Sequence, residues 1–196
     1  MLSGKEIQKR RSVSAWKRLL YAVTRDRRHL LPDIVIEPFD EKYCGPNSYD
    51  VHLGPELLFY KEGVELSAKA EVATKRVTIP EEGFVLQPGD FCLGSTLEYI
   101  EVRNLTFQLT GRSSIGRMGL SIVASAGFGD VGFCGNLTMH MKNLSNNPIR
   151  LTPNLKIGQI FYDPISRDHT QYSGKYLGQK GTTASLLHKD TADGTM

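Results

Sequence analysis

The chain of 196 residues contains no apolar run approaching the roughly eighteen residues that a membrane-crossing helix needs. Its opening, MLSGKEIQKRR, lacks the apolar stretch of a secretory signal. No membrane partner is expected on these grounds, and a cytoplasmic location follows by default. Cysteine is scarce. Cys44, Cys92 and Cys134 stand far apart and none falls in CxxC spacing, which argues against a disulfide framework and a cysteine-based zinc site. The three are read as small buried apolar side chains. Zinc nucleoside deaminases carry H-x-E and P-C-x-x-C segments, and neither is present. Any deamination by this chain would therefore run without zinc. There is one tryptophan, and no large excess of one charge: 24 Lys and Arg face 21 Asp and Glu.

The charge that exists is unevenly placed. Residues 5–28 hold Lys5, Lys9, Arg10, Arg11, Lys17, Arg18, Arg25, Arg27 and Arg28 against Glu6 and Asp26. A basic segment can meet phosphate or nucleic acid, but a solvated helix face explains it as well, and nucleic acid is not the expected partner. Length and an apolar fraction of 40% fit one soluble domain with its own core.

Three regions follow one another. Residues 1–30 read as helical: Trp16, Leu19, Leu20 and Val23 recur at spacings of three and four, and Ser14 can cap that helix. Residues 31–165 read as many short strands punctuated by Gly and Pro. Alternation is visible at Leu105, Phe107 and Leu109, at Leu137, Met139 and Met141, and at Ile157, Gln159 and Phe161. Such spacing indicates a mostly β sandwich or jelly-roll-like barrel. Residues 166–196 are polar, with Gly174, Gly178 and Gly181 and no apolar period. A tail of this kind is mobile unless something ties it down, or it is a lid that orders on a ligand.

Five segments carry chemistry. Gly111-Arg112-Ser113-Ser114-Ile115-Gly116-Arg117 offers two guanidinium groups, two hydroxyls and turn N–H groups, the donor set of an anion site or of an ordinary capped turn. Residues 124–135 are dense in glycine, which lets backbone approach a ligand. Asp130 is their lone charge, able to orient a water, hold a sugar hydroxyl, or close an Asx turn. Asp50 lies in an alternating strand and needs a partner. Gln159 is polar within an apolar strand. Tyr172, Lys175 and Gln179 lie on a Gly-hinged tail that could close over a triphosphate.

Taken in order, these segments resemble the dCTP deaminase / dUTPase superfamily, and its deaminase branch most. PNSYDVHLG, GRSSIGRMGL and GKYLGQKG are similar to its first strand, its phosphate-and-water motif and its C-terminal lid. The resemblance implies a distorted jelly roll (a β-clip) with an N-terminal helix and a mobile C-terminal lid. It also implies a homotrimer with sites between subunits, and a triphosphate that itself holds Mg²⁺, with no direct protein ligand. Arg112, Ser113 and Ser114 would bind phosphates, and Ser113 would also place the reacting water in a deaminase. Arg117 matches the arginine of the deaminating group. Ala126 would read the base through its backbone. Asp130 would contact the sugar 3′-hydroxyl or activate water, Gln159 would contact phosphate, and Tyr172, Lys175 and Gln179 would come from the lid.

Two positions depart from that pattern. Where the deaminase branch places a proton-shuttling glutamate, this chain has His140. Strand alternation sets Asn136, Thr138 and His140 on the face opposite Leu137, Met139 and Met141. A histidine beside Arg117 would have a lowered proton affinity, and losing a general acid–base costs about 10²–10⁴ in rate. Gly129 replaces an aliphatic residue before Asp130, and its backbone freedom bears on the aim of that carboxylate. The reading is a Mg²⁺-dependent deoxypyrimidine triphosphate pyrophosphohydrolase acting first on dUTP, with Asp130 as base. The alternatives are a zinc-free dCTP deaminase using His140, and a dNTP-binding regulator without catalysis.

Overall fold

The computed structural model describes residues 1–25, 30–123, 126–166 and 168–192. Asp26, Arg27 and Arg28 of the basic stretch, Ala124 and Ser125 of the glycine-dense segment, and the last four residues of the tail lie outside them. The described residues among the first thirty form two α-helices. α1 (Gly4–Arg10) opens on a Ser3–Glu6 capping box, in which each side chain bonds the other's backbone N–H. α2 (Ala15–Thr24) opens at Ser14, whose hydroxyl accepts from the Lys17 N–H at 3.3 Å. α1 is anchored by Leu2 and Ile7, both buried. α2 buries none of its residues.

Eleven strands follow among the described residues. They are β1 (Ile34–Glu37), β2 (Tyr49–Tyr60), β3 (Thr74–Thr78), β4 (Phe84–Leu86), β5 (Phe91–Val102), β6 (Leu105–Gly111), β7 (Leu120–Ser121), β8 (Phe128–Gly129), β9 (Cys134–Asn143), β10 (Ile149–Leu151) and β11 (Lys156–Pro164). Short helices α3 (Ser113–Arg117) and α4 (His188–Ala192) complete the chain. Nine strands make one curled antiparallel sheet in the order β7-β9-β5-β2-β11-β6-β8, with β1 on β5 and β3 on β2, while β10 pairs with β4. The mostly β, jelly-roll-like class expected from sequence is the one observed. β2 allows the sheet to curl. Its first residues pair with β11, its pairing with β5 starts at Leu53 and shifts register between Leu53 and Leu57, and Glu56–Tyr60 pair with β3. Such irregularities bend a strand and sharpen its twist.

Two of the three alternating stretches bury the side chains expected of them. Leu105, Phe107 and Leu109 of β6, and Leu137, Met139 and Met141 of β9, are core residues. The third does not. Ile157, Ile160 and Tyr162 are buried while Gln159 and Phe161 face outward, because the β11 ladder slips by one residue between Lys156 and Gly158 and a slip exchanges the faces. The cysteines differ too: all three are free, Cys92 is buried, but Cys44 and Cys134 are only partly so. No helix among the described residues is long and apolar enough to cross a membrane.

Candidate functional site

β9 presents Thr138 and His140 on its outward face, opposite Met139 and Met141. They line a cavity of about 330 Å³ whose walls also include Ala126, Asp130, Tyr172 and Gln179. Five of the residues singled out in the sequence therefore converge on one place. Local geometry explains Asp130. The Phe133 N–H donates to the Asp130 carbonyl at 3.2 Å and Gly132 has φ +88, as expected for a tight turn needing a left-handed third residue. The turn is pinned to the end of β5, since Gly132 N–H donates to Val102 O and Val102 N–H to Phe133 O. It is closed by backbone groups, which leaves the exposed carboxylate of Asp130 unspent for a ligand.

Gly129 is not a point of backbone freedom. It is buried in β8 opposite Phe107 of β6, and a Cβ there would overlap the Phe107 ring. The residue before Asp130 is glycine because an aromatic ring has taken the space of its side chain.

The tail is tied down along β9 and over the cavity. Gly178 N–H donates to Cys134 O at 2.8 Å, Asn136 N–H donates to Gln179 O at 3.0 Å, and the Gln179 amide donates to Asn136 O at 2.5 Å. Thr183 N–H reaches the Thr138 hydroxyl at 3.2 Å, and Ser185 N–H reaches the Tyr60 hydroxyl at 3.3 Å. Tyr60, Tyr176, Thr183 and Ser185 thereby become walls of the cavity. Tyr176 lies within the GKYLGQKG segment; Tyr60, Thr183 and Ser185 were not singled out in the sequence, and no local motif marks them. Gln179 Oε1 is buried without a hydrogen-bond partner, a cost normally met by some donor. Lys175 does not line the cavity; its ammonium is paired with Asp190 of α4.

The second group of expected residues assembles elsewhere. Gln159 of β11 lies opposite Thr110 of β6 on one side and Asp50 of β2 on the other. Arg112 Nε meets Asp50 Oδ1 at 3.3 Å, and Ser48 donates to Gln159 Oε1 at 3.3 Å. This is the partner that the in-strand Asp50 requires, and it leaves the outer nitrogens of the guanidinium fork for another acceptor. Ser113 and Ser114 stand exposed on the first turn of α3, which Ile115 anchors in the core. The first N–H groups of such a turn have no partner within the helix. Neither Arg112, Ser113, Ser114 nor Gln159 lines the Asp130 cavity, and among the described residues no Lys or Arg does.

Arg117 does not line the cavity that holds His140. β7 crosses β9 at Lys142 and Asn143, which leaves Arg117 over a separate cleft with Gly119, Asn147 and Arg150. Among the described residues no group of three or more His, Cys, Asp or Glu is placed to hold a metal ion.

Comparison with known proteins fits this layout. The family described as dCTP deaminase-like matches residues 20–165. A dCTP deaminase, dUMP-forming, of Hathewaya histolytica is 43% identical over 191 residues, covering 97% of this chain and 98% of its own length. The protein of the same name from Clostridium acetobutylicum is 50% identical over 159 residues, covering 81% and 90%. The crystal structure of 2′-deoxycytidine 5′-triphosphate deaminase from Agrobacterium tumefaciens superimposes with a TM-score of 0.56 at 17% identity, over 82% of this chain and 46% of that one, a likeness of fold. On the extent of the family match and the full-length relatives together, this chain belongs to the dCTP deaminase-like family.

Proposed function

We propose that the protein is a Mg²⁺-dependent pyrophosphohydrolase of deoxypyrimidine nucleoside triphosphates, dUTP first, acting in the cytoplasm as a homotrimer. One observation carries this reading. Among the described residues, the cavity that holds Asp130 and His140 has no Lys or Arg in its walls, while Arg112, Ser113, Ser114 and Gln159, donors suited to an anion, lie outside that cavity in the same chain. A triphosphate needs both. Bringing the Arg112 surface of one copy against the Asp130 cavity of another completes the site, and charged donors of the Arg type are suited to the phosphates.

Water attacks the α-phosphorus in line. The new bond joins the water oxygen to that phosphorus, the bond to the bridging oxygen of the β-phosphate breaks, and pyrophosphate leaves as the monophosphate forms. Asp130 takes the proton of the attacking water. Ser113 and Ser114 hold phosphate oxygens, Ala126 presents backbone to the base, and Tyr172 and Gln179 enclose the nucleotide from the tail. Mg²⁺ carried by the triphosphate would supply charge neutralisation there.

A second reading is favoured by the relatives, whose name, dUMP-forming, combines loss of ammonia with cleavage of the triphosphate. His140 stands in the cavity wall where a proton shuttle to the base would act. Asp130 and the Arg112 surface serve hydrolysis in either reading; deamination would also need His140 to act in the glutamate's place, together with Ser113 and Arg117. Subunit mixing tests the composite site. Asp130→Asn and Arg112→Ala proteins, each inactive alone, should regain part of the activity when unfolded together and reassembled, because some sites then receive both intact halves. Absence of any recovery would place the two groups in one subunit's site and refute the split.

A further inference from the structure

We infer that α2 is a clamp between subunits: its outward apolar stripe docks on the body of a second copy of this chain. The inference deepens the trimer reading above and rests on it. Trp16, Leu19 and Val23 are 65%, 55% and 76% exposed and recur at three and four along the helix, so they form one face. A contiguous apolar face of this kind on a soluble chain marks a contact surface.

The helix is held in place. Lys17 Nζ reaches Asp33 Oδ1 at 2.6 Å and Leu31 O at 2.9 Å, and the Lys17 and Asp33 side chains are only 16% and 14% exposed. Arg10 and Asn104 converge on the same carboxylate. The tether uses the polar flank of α2 and presents the stripe away from its own core.

Charge selects the occupant. Nine of the 24 Lys and Arg and two of the 21 Asp and Glu fall within residues 5–28, so the rest of the chain carries 15 positive and 19 negative side chains. The basic N-terminal segment of one copy and the acidic body of another attract, whereas two α2 helices face to face would repel. Docking on the body covers the stripe and the charge at once.

Trp16 is the only tryptophan, so its fluorescence reports on this contact in the intact chain. Where sedimentation shows the assembled protein, its emission should be blue-shifted and shielded from acrylamide; dilution or salt that dissociates the assembly should expose it. Leu19→Ser/Val23→Ser should raise the dissociation constant about tenfold or more, the scale of losing one good interface contact, with unchanged turnover at concentrations where it is assembled. An assembled protein with Trp16 freely quenchable, or an unaffected double variant, overturns the clamp and leaves the hydrolase reading standing. Shielding only on addition of phosphatidylserine vesicles or duplex DNA assigns the stripe to another partner and overturns it as well. A wild-type protein monomeric at every concentration removes both the clamp and the composite site.

Discussion

Phe107 and Gly129 face each other across the β6–β8 ladder, and the phenyl ring fills the space a side chain at 129 would need. The ring also packs at 5.8 Å from that of Phe133 and 6.3 Å from that of Tyr162. Asp130 follows Gly129 directly, so this packing sets the position from which its carboxylate enters the cavity. Gly129→Ala should destabilise the protein by about 1–3 kcal/mol, the usual cost of overpacking, and lower turnover. Adding Phe107→Leu should recover part of both losses. Thermal unfolding and turnover of the single and double variants measure this, and a wild-type-like single variant would show that the ring can move aside.

Asp130→Asn keeps shape and removes the carboxylate proposed as the base. Turnover of dUTP should fall about 10²–10⁴-fold, while binding of the triphosphate, read by calorimetry with a non-hydrolysable analogue, stays close to wild type. Equal loss of binding and turnover would assign Asp130 to the sugar alone.

Asp50 holds the Nε edge of Arg112, so the two should behave as a unit. Arg112→Lys loses the bidentate fork and should raise KM more than it lowers kcat. Asp50→Ala should act in the same direction but more weakly, since a partly exposed pair contributes only about 0.2–1 kcal/mol. Combined in one protein the two changes should be less than additive. Additive effects would show that Asp50 does not orient the arginine.

His140 gives a base-dependent prediction. His140→Glu should increase ammonia release from dCTP, by up to about 10²–10⁴-fold if a missing proton shuttle is what limits it, with much less effect on pyrophosphate release from dUTP. Equal ammonia release from both proteins would mean that histidine already performs the shuttle.

The alkaline limit of stability follows from buried weak acids. Burial pushes the Tyr49 hydroxyl up to about 12 from 10.0, although the Asp40 N–H donates to it. Burial likewise raises the Cys92 thiol from 9.0 to about 12. Both folded values lie above the unfolded ones, so the stabilisation is complete below pH 9 and is lost as pH rises toward 12. Urea midpoints should therefore be insensitive to these groups near neutrality and drop between about pH 9 and 12. Tyr49→Phe should make that drop shallower. An unchanged alkaline limb in this variant would contradict the assignment.

Much of this architecture was legible in the sequence where a period ran undisturbed. β6 and β9 keep their burial alternation, the irregularity of the β5–β9 ladder falling between Ser95 and Tyr99 of β5, so their core faces and the outward placement of His140 could be read directly. β11 could not, because a one-residue slip near Gly158 leaves no mark in composition. α2 shows the limit of periodicity: it tells which residues share a face, not what covers that face. Asp130, Ala126, Tyr172 and Gln179 were recognised from ordered motifs and do converge. Tyr60 and Ser185 joined them only through the path of the tail. The Asp50–Arg112 pair and the Phe107–Gly129 fit bring together residues distant in sequence, and their partners become visible only when the strands are placed side by side. The placing of Arg117 and His140 in different clefts has the same origin.

The most direct test incubates the protein with Mg²⁺ and, separately, dUTP, dCTP and dTTP, and resolves every product by chromatography. The predicted result is dUMP and pyrophosphate from dUTP, the base unchanged, with little or no uracil nucleotide from dCTP. Rapid conversion of dCTP to a uracil nucleotide, or no release of pyrophosphate from any of the three, would contradict it.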